Sequence, residues 1–143
     1  MDETPRNSYL DATQEAGKAL YMRQITGSVV MLNLLKFKEK ADYSGSMELA
    51  PRQEISGKEA YQLYIDHTLP FLEEAGGEIR FQGRAGSYLI GPAWEDWDAA
   101  LLVRHESVAT FIAFASNNEY LRGIGHRTAA LEDSRLLPIE EES

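Results

Sequence analysis

The stretch Val29–Phe37, VVMLNLLKF, decides the fold. It is too short for an ordinary helix, rich in β-branched and aliphatic residues, and shows no polar alternation. That composition predicts a central strand covered on both faces. Downstream, Ser56 and Glu59 stand in the S-x-x-E spacing that lets each side chain satisfy a free backbone N–H at a helix start. Tyr61, Tyr64, Ile65, Thr68 and Leu72 then share one helical face; Pro70 should bend the helix and Gly76-Gly77 end it. Residues 78–90 and 97–105 read as two strands joined by the turn-rich 91–96 segment, with Ile79 and Phe81 on one side of the first. Ser107 caps a second helix carrying Val108, Phe111, Ile112 and Ala115 on one face. A loop holding His126 and Arg127, with a turn of helix over 127–131, leads into a last strand at 135–139, which Pro138 assigns to a sheet edge.

The order is β-α-β-β-α-β, a ferredoxin-like α+β arrangement in which two helices cover one face of a four-stranded antiparallel sheet. In the first and third strands both faces are apolar: Val30, Leu32 and Leu34 oppose Val29, Met31 and Leu35, and Leu102 opposes Leu101 and Val103. Helices cover only one of those faces. The other calls for a second sheet, most simply that of an identical chain related by a two-fold axis.

Working outward, residues 1–28 form an N-terminal helical extension with a thin apolar stripe (Leu10, Thr13, Ala16, Leu20, Tyr21) and Ser8 with Asp11 as its capping pair. Residues 29–143 form the ferredoxin-like domain, interrupted at 38–55 by a long loop that should border the cleft. The chain of 143 residues suffices for one core, and 43% hydrophobic with 26% charged residues is an ordinary globular mixture. It contains no cysteine, which removes disulfides, thiolate nucleophiles and thiolate metal sites. Twenty-three acidic against fourteen basic side chains give −9, a field that repels nucleic acid and anionic membranes. With no apolar run long enough to span a bilayer and no leader-like start, a soluble cytoplasmic protein is expected.

Several of these residues together resemble a known family. VVMLNLLKF, Ser56-Gly57-Lys58-Glu59-Ala60-Tyr61 with Tyr64, Gly76-Gly77, Trp97-Asp98 before LLVRHES, Tyr120, His126-Arg127 and Leu131-Glu132-Asp133-Ser134 are similar to the domain of unknown function 1330, within the dimeric α/β-barrel superfamily. The resemblance spans about 29–140 and implies a protomer whose sheet packs on a partner's to form a barrel. The superfamily includes cofactor-independent monooxygenases, isomerases and stress-response proteins. The family brings no settled reaction, so it assigns no catalytic residue.

Candidate site residues come from polar groups the strand pattern does not require. Asn33 interrupts an apolar strand, where a buried amide needs a partner: it is either a polar anchor or a donor to a substrate carbonyl. His105 ends the third strand and is either a general base or a hydrogen-bonded structural histidine. Arg127, beside His126, either forks a substrate carboxylate or pairs with Glu119 or Asp133. Tyr61 and Tyr64 are packing residues with a polar tip or hydroxyls reaching into the cleft. His67, His105 and His126 form no local metal-ligand set, so neither a metal nor a cofactor is expected. Two functional readings follow. One is a cofactor-independent enzyme acting on a small carbonyl-bearing metabolite between sheet and helices, with His105 and Asn33 catalytic and Arg127, His126, Tyr61 and Tyr64 binding substrate. The other is a non-catalytic homodimeric module that binds a small organic ligand or serves a stress response.

Overall fold

In the computed structural model, which describes residues 8–142, β1 (Val29–Phe37) runs through the middle of a four-stranded antiparallel sheet. The other strands are β2 (Glu78–Arg84), β3 (Ala99–His105) and β4 (Leu131–Glu140), in the order β2-β3-β1-β4. The helices are α1 (Gln14–Met22), α2 (Gly57–Glu74), α3 (Val108–Ala115), α4 (Asn118–Leu121) and α5 (Ile124–Ala130). Without α1 and the short α4 and α5, this is the βαββαβ ferredoxin-like arrangement expected. No helix among the described residues is long and apolar enough to cross a membrane.

Helix α2 starts where its sequence dictates. Ser56 and Glu59 form a complete capping box, each side chain taking the other's backbone N–H at 2.9–3.0 Å. A side chain at Gly57 would collide with the carbonyls of Lys38 and Ala130, so only glycine lets the helix start press against the exit of β1 and the end of α5. The helix runs on through Pro70 and stops at Gly76, whose φ of +81° ends the turn. Its face of Ala60, Tyr61, Tyr64, Ile65, Thr68 and Leu72 is buried on the sheet. Helix α3 repeats the device with Ser107 and Thr110.

Local chemistry corrects the expected boundaries in four places. The extension helix is capped by Thr13, which accepts from Ala16 N–H, and not by Ser8 with Asp11; it begins at Gln14 and buries no residue. Strand β2 stops at Arg84, because the chain from 85 to 98 leaves the ladder with only a single bridge between Ser87 and Asp96. A bulge between Ile79 and Phe81 also separates those two side chains: Ile79 pairs with Val103, whereas Phe81 pairs with Leu102 and is 56% exposed on the other face. Finally, His126 and Arg127 lie inside α5 rather than in a loop, and β4 begins at Leu131.

The 38–55 segment is irregular apart from one 3-10 turn at Met47–Leu49, yet it is firmly held. Lys38 and Asp42 N–H donate to the carbonyls of Ala130 and Ala129, and Ala41 N–H donates to that of Ile55. It is a wall built against α5. The extension, in turn, follows the β4 edge: Tyr9 N–H donates to Asp133 at 2.8 Å and Arg23 donates to the Pro138 carbonyl at 2.8 Å. An edge strand covered in this way cannot recruit another strand.

Candidate functional site

Between the helices and the sheet lies a continuous row of aromatic rings. Phe37 meets Tyr61 at 5.6 Å between centroids, Tyr61 meets Tyr64 at 5.2 Å, Tyr64 meets Tyr120 at 6.1 Å, Tyr120 meets Phe114 at 4.5 Å, and Phe114 meets His105 at 5.6 Å. These tilted and edge-on arrangements suit the ring quadrupoles. The Tyr64 and Tyr120 hydroxyls share a hydrogen bond of 2.7 Å inside the layer. Burial pushes the Tyr61 and Tyr120 hydroxyls well above the usual phenol range, so both are protonated donors near neutral pH; the nearby Arg127 guanidinium opposes that shift at each.

Asn33 projects from β1 on the same face as Val29, Met31 and Leu35 and is 8% exposed. Its Nδ2 donates to the Met31 carbonyl of its own strand at 3.2 Å, and among the described residues its Oδ1 has no hydrogen bond. Two buried polar atoms of the layer have no hydrogen-bond partner among the described residues: Thr68 Oγ1 on α2 and His105 Nδ1 at the end of β3. Burial pushes the His105 imidazole down to about 4, so the ring is neutral at physiological pH, packed against Phe111 and Phe114. It is structural in its packing without the hydrogen bond expected of a structural histidine at Nδ1.

The six residues singled out in the sequence all face this layer or its rim, but they do not meet at one point. Tyr61 and Tyr64 join Tyr120 and Arg127 near the Phe37 end of β1. His105 pairs with Val29, at the opposite end; Asn33, four residues along, is therefore about 13 Å from it at the usual strand rise of about 3.3 Å per residue. His126 turns toward the 38–55 wall, where its Nδ1 is hydrogen-bonded to the Tyr43 hydroxyl at 2.7 Å, and burial lowers its affinity for a proton. Arg127 pairs with neither Glu119 nor Asp133. It donates to the Leu10 carbonyl at 2.6 Å and to Ser134 Oγ at 3.4 Å.

Three residues of the layer escaped the sequence reading. Thr68 was visible only as a helix-face residue one turn beyond Tyr64, and Tyr120 only as part of a resemblance. Ser134, buried on β4 opposite Leu35, was likewise visible only as part of the resemblance, since a serine in an edge strand is usually solvated. No group of three or more His, Asp or Glu among the described residues could hold a metal ion. Of two open depressions, one of about 860 Å³ lies beside Ser28, Arg104 and Glu141, and one of about 400 Å³ lies beside Lys58, Arg84, Trp97 and Phe37, the first ring of the row. None of the six residues lines either.

No protein-family model matches the chain, and no curated protein does, so the resemblance to the domain of unknown function 1330 holds only at the level of the ferredoxin-like fold. Among solved structures, a protein of unknown function from Rhodopseudomonas palustris, RPA0582, is 32% identical over 96% of this chain and 99% of its own, with a TM-score of 0.79. The crystal structure of methylated RPA0582 is similar too, 32% identical over 95% of this chain and 96% of its own, with a TM-score of 0.81. A protein from Bacteroides fragilis described as dimeric, of unknown function and ferredoxin-like in fold, is 15% identical over 82% of this chain and 99% of its own, with a TM-score of 0.43. The chain belongs to the same protein family as RPA0582 of Rhodopseudomonas palustris.

Proposed function

We propose that the protein is a homodimer, joined through the sheet face opposite the helices, that binds a small carbonyl-bearing organic anion in the aromatic layer between the helices and the sheet. The observation that carries the ligand reading is the pair of buried polar atoms inside that layer, Thr68 Oγ1 and His105 Nδ1, that have no hydrogen bond among the described residues. Buried polar atoms are nearly always satisfied, and an orphaned one costs about 1–3 kcal/mol. A carbonyl or carboxylate oxygen that accepts from the Thr68 hydroxyl, and from His105 Nδ1–H in that tautomer, removes that cost. Asn33 retains one N–H for a carbonyl, the Tyr61, Tyr64 and Tyr120 rings give the guest apolar walls, and Arg127 supplies positive charge.

Binding is favoured over catalysis because the layer offers neutral groups. A histidine near 4 is a weak base at neutral pH, and tyrosines held above their usual range are donors that do not readily release a proton. Thermal melts of the purified protein titrated with pyruvate and with benzoylformate test the reading. A saturable rise in Tm with no product, weakened by Asn33→Leu, is expected. Turnover of either compound would assign the site to an enzyme, and no shift with either would remove the ligand reading.

A further inference from the structure

In a chain with 23 acidic residues, the half-buried Arg127 guanidinium touches no carboxylate among the described residues. Its partners are the Leu10 carbonyl and Ser134 Oγ, and Ser134 Oγ donates in turn to the Tyr9 carbonyl. Two consecutive carbonyl oxygens of the N-terminal extension thus occupy a guanidinium and a hydroxyl, the donor set that a single carboxylate would take with both of its oxygens. Tyr9 also wraps the edge of β4. Its N–H is bound to Asp133, and its ring lies 4.8 Å from the Arg135 guanidinium, which projects on the opposite face because it pairs with Leu34. Just beyond Ser134 the layer opens: Leu136, the partner of Asn33 on β4, is 46% exposed although it shares the helix-side face.

We infer that Arg127 and Ser134 form a carboxylate site which the Tyr9–Leu10 backbone fills as an internal stand-in, so that an organic carboxylate binds by displacing this clasp from the edge of β4. The inference rests on the ligand reading above and adds to it the ligand's charged group and a gate. Displacement is favoured because a carboxylate makes charge-assisted bonds to the guanidinium, whereas a peptide carbonyl is neutral. The gate lowers apparent affinity by the fraction of molecules in which the clasp is open. A further group on the carboxylate, entering past Leu136, would come to lie beside Asn33.

The test uses full-length protein and benzoylformate, with acetophenone as the uncharged analogue. Benzoylformate should speed hydrogen exchange at the Tyr9 amide, now tied to Asp133, and acetophenone should not. Tyr9→Ala, which removes the ring from Arg135 but leaves Arg127 and Ser134 in place, should bind benzoylformate about fivefold or more tightly than the natural chain. Arg127→Gln should lose binding, and Arg127→Lys, which keeps the charge without the fork, should keep a part of it. If benzoylformate binds in an Arg127-dependent manner while Tyr9 exchange and the Tyr9→Ala affinity stay unchanged, the clasp does not compete and the inference fails, with the ligand reading intact. Binding that survives Arg127→Gln overturns the carboxylate site. Binding to neither the natural chain nor Tyr9→Ala overturns both readings together.

Discussion

The two faces of the sheet are built from nearly the same residues and meet different fates. On β1, Val29, Met31 and Leu35 are at most 1% exposed beneath the helices, while Val30, Leu32 and Leu34, one residue out of step, are only partly covered. Across the second face, the register sets Leu137, Leu32, Leu102 and Phe81 in one row spanning all four strands, with Leu137 55% and Phe81 56% exposed. The difference lies in the neighbours. The helix-covered face is closed from within the chain except beyond Ser134, where Leu136 is exposed. On the other, among the described residues, Glu95 and Trp97 of the β2–β3 connection and Tyr9 of the extension reach over to Arg135. Charges are confined to its margins, as with Arg104 and Glu141 at 3.0 Å and Arg80 and Glu78 at 2.7 Å. An apolar centre with a charged rim is the anatomy of a protein interface.

Substitutions at matched positions on the two faces give the largest effect and the sharpest contrast. Leu32→Asp places a charge in the centre of the proposed interface once per protomer. It should weaken the dimer by about 100-fold or more, as expected for an uncompensated buried charge, while each protomer keeps a cooperative melt. Leu35→Ala, on the helix side, should lower stability by about 2–5 kcal/mol without separating the protomers at temperatures where the chain is folded. Sedimentation equilibrium and denaturant melts distinguish the two. A natural chain that sediments as a monomer at micromolar concentration, or a Leu32→Asp variant that remains a dimer, breaks the comparison, since the second face would then have no partner.

On the helix-covered face, acid should act through His105. His105 has its folded affinity for a proton depressed to about 4 from the usual 6.5, so the unfolded chain binds more protons between those values. The contribution is complete above about pH 6.5 and is lost as pH falls toward 4, amounting to about 3 kcal/mol at the lower limit. Measured melts should show His105→Phe losing less stability than the natural chain over this range. Parallel curves for the two proteins would mean that His105 is already exposed to protons.

How much of this was legible in the sequence follows from where the physics is local. The capping box at Ser56 and Glu59, the apolar run of β1 and the place of Pro138 on an edge strand are determined by a few adjacent residues, and each stands as read. The bulge that sends Phe81 to the open face is not local, because it depends on how β2 meets β3. Nor was the role of Arg127 legible. In a sequence rich in acids an ion pair is the natural expectation, yet its partners are a backbone carbonyl 117 positions away and a serine, and no spacing encodes such a contact. Asn33 did stand out, because an amide within an aliphatic run is costly wherever the strand goes.

Asn33 therefore supplies the smallest effect on stability and the finest distinction. Its single hydrogen bond runs to the Met31 carbonyl, two residues back on the same central strand, and that strand is laddered on both sides by β3 and β4. Replacing the amide by leucine orphans no side chain and removes a polar group whose Oδ1 is unpaired, so Asn33→Leu should change stability by less than about 1 kcal/mol, or raise it. An amide that anchors the fold behaves otherwise, because losing it leaves a buried partner unsatisfied and costs about 1–3 kcal/mol. The same variant should bind benzoylformate more weakly, since the carbonyl loses its N–H donor. A destabilisation of about 1–3 kcal/mol with affinity unchanged would make Asn33 an anchor, and the ligand reading would then rest on Thr68 and His105.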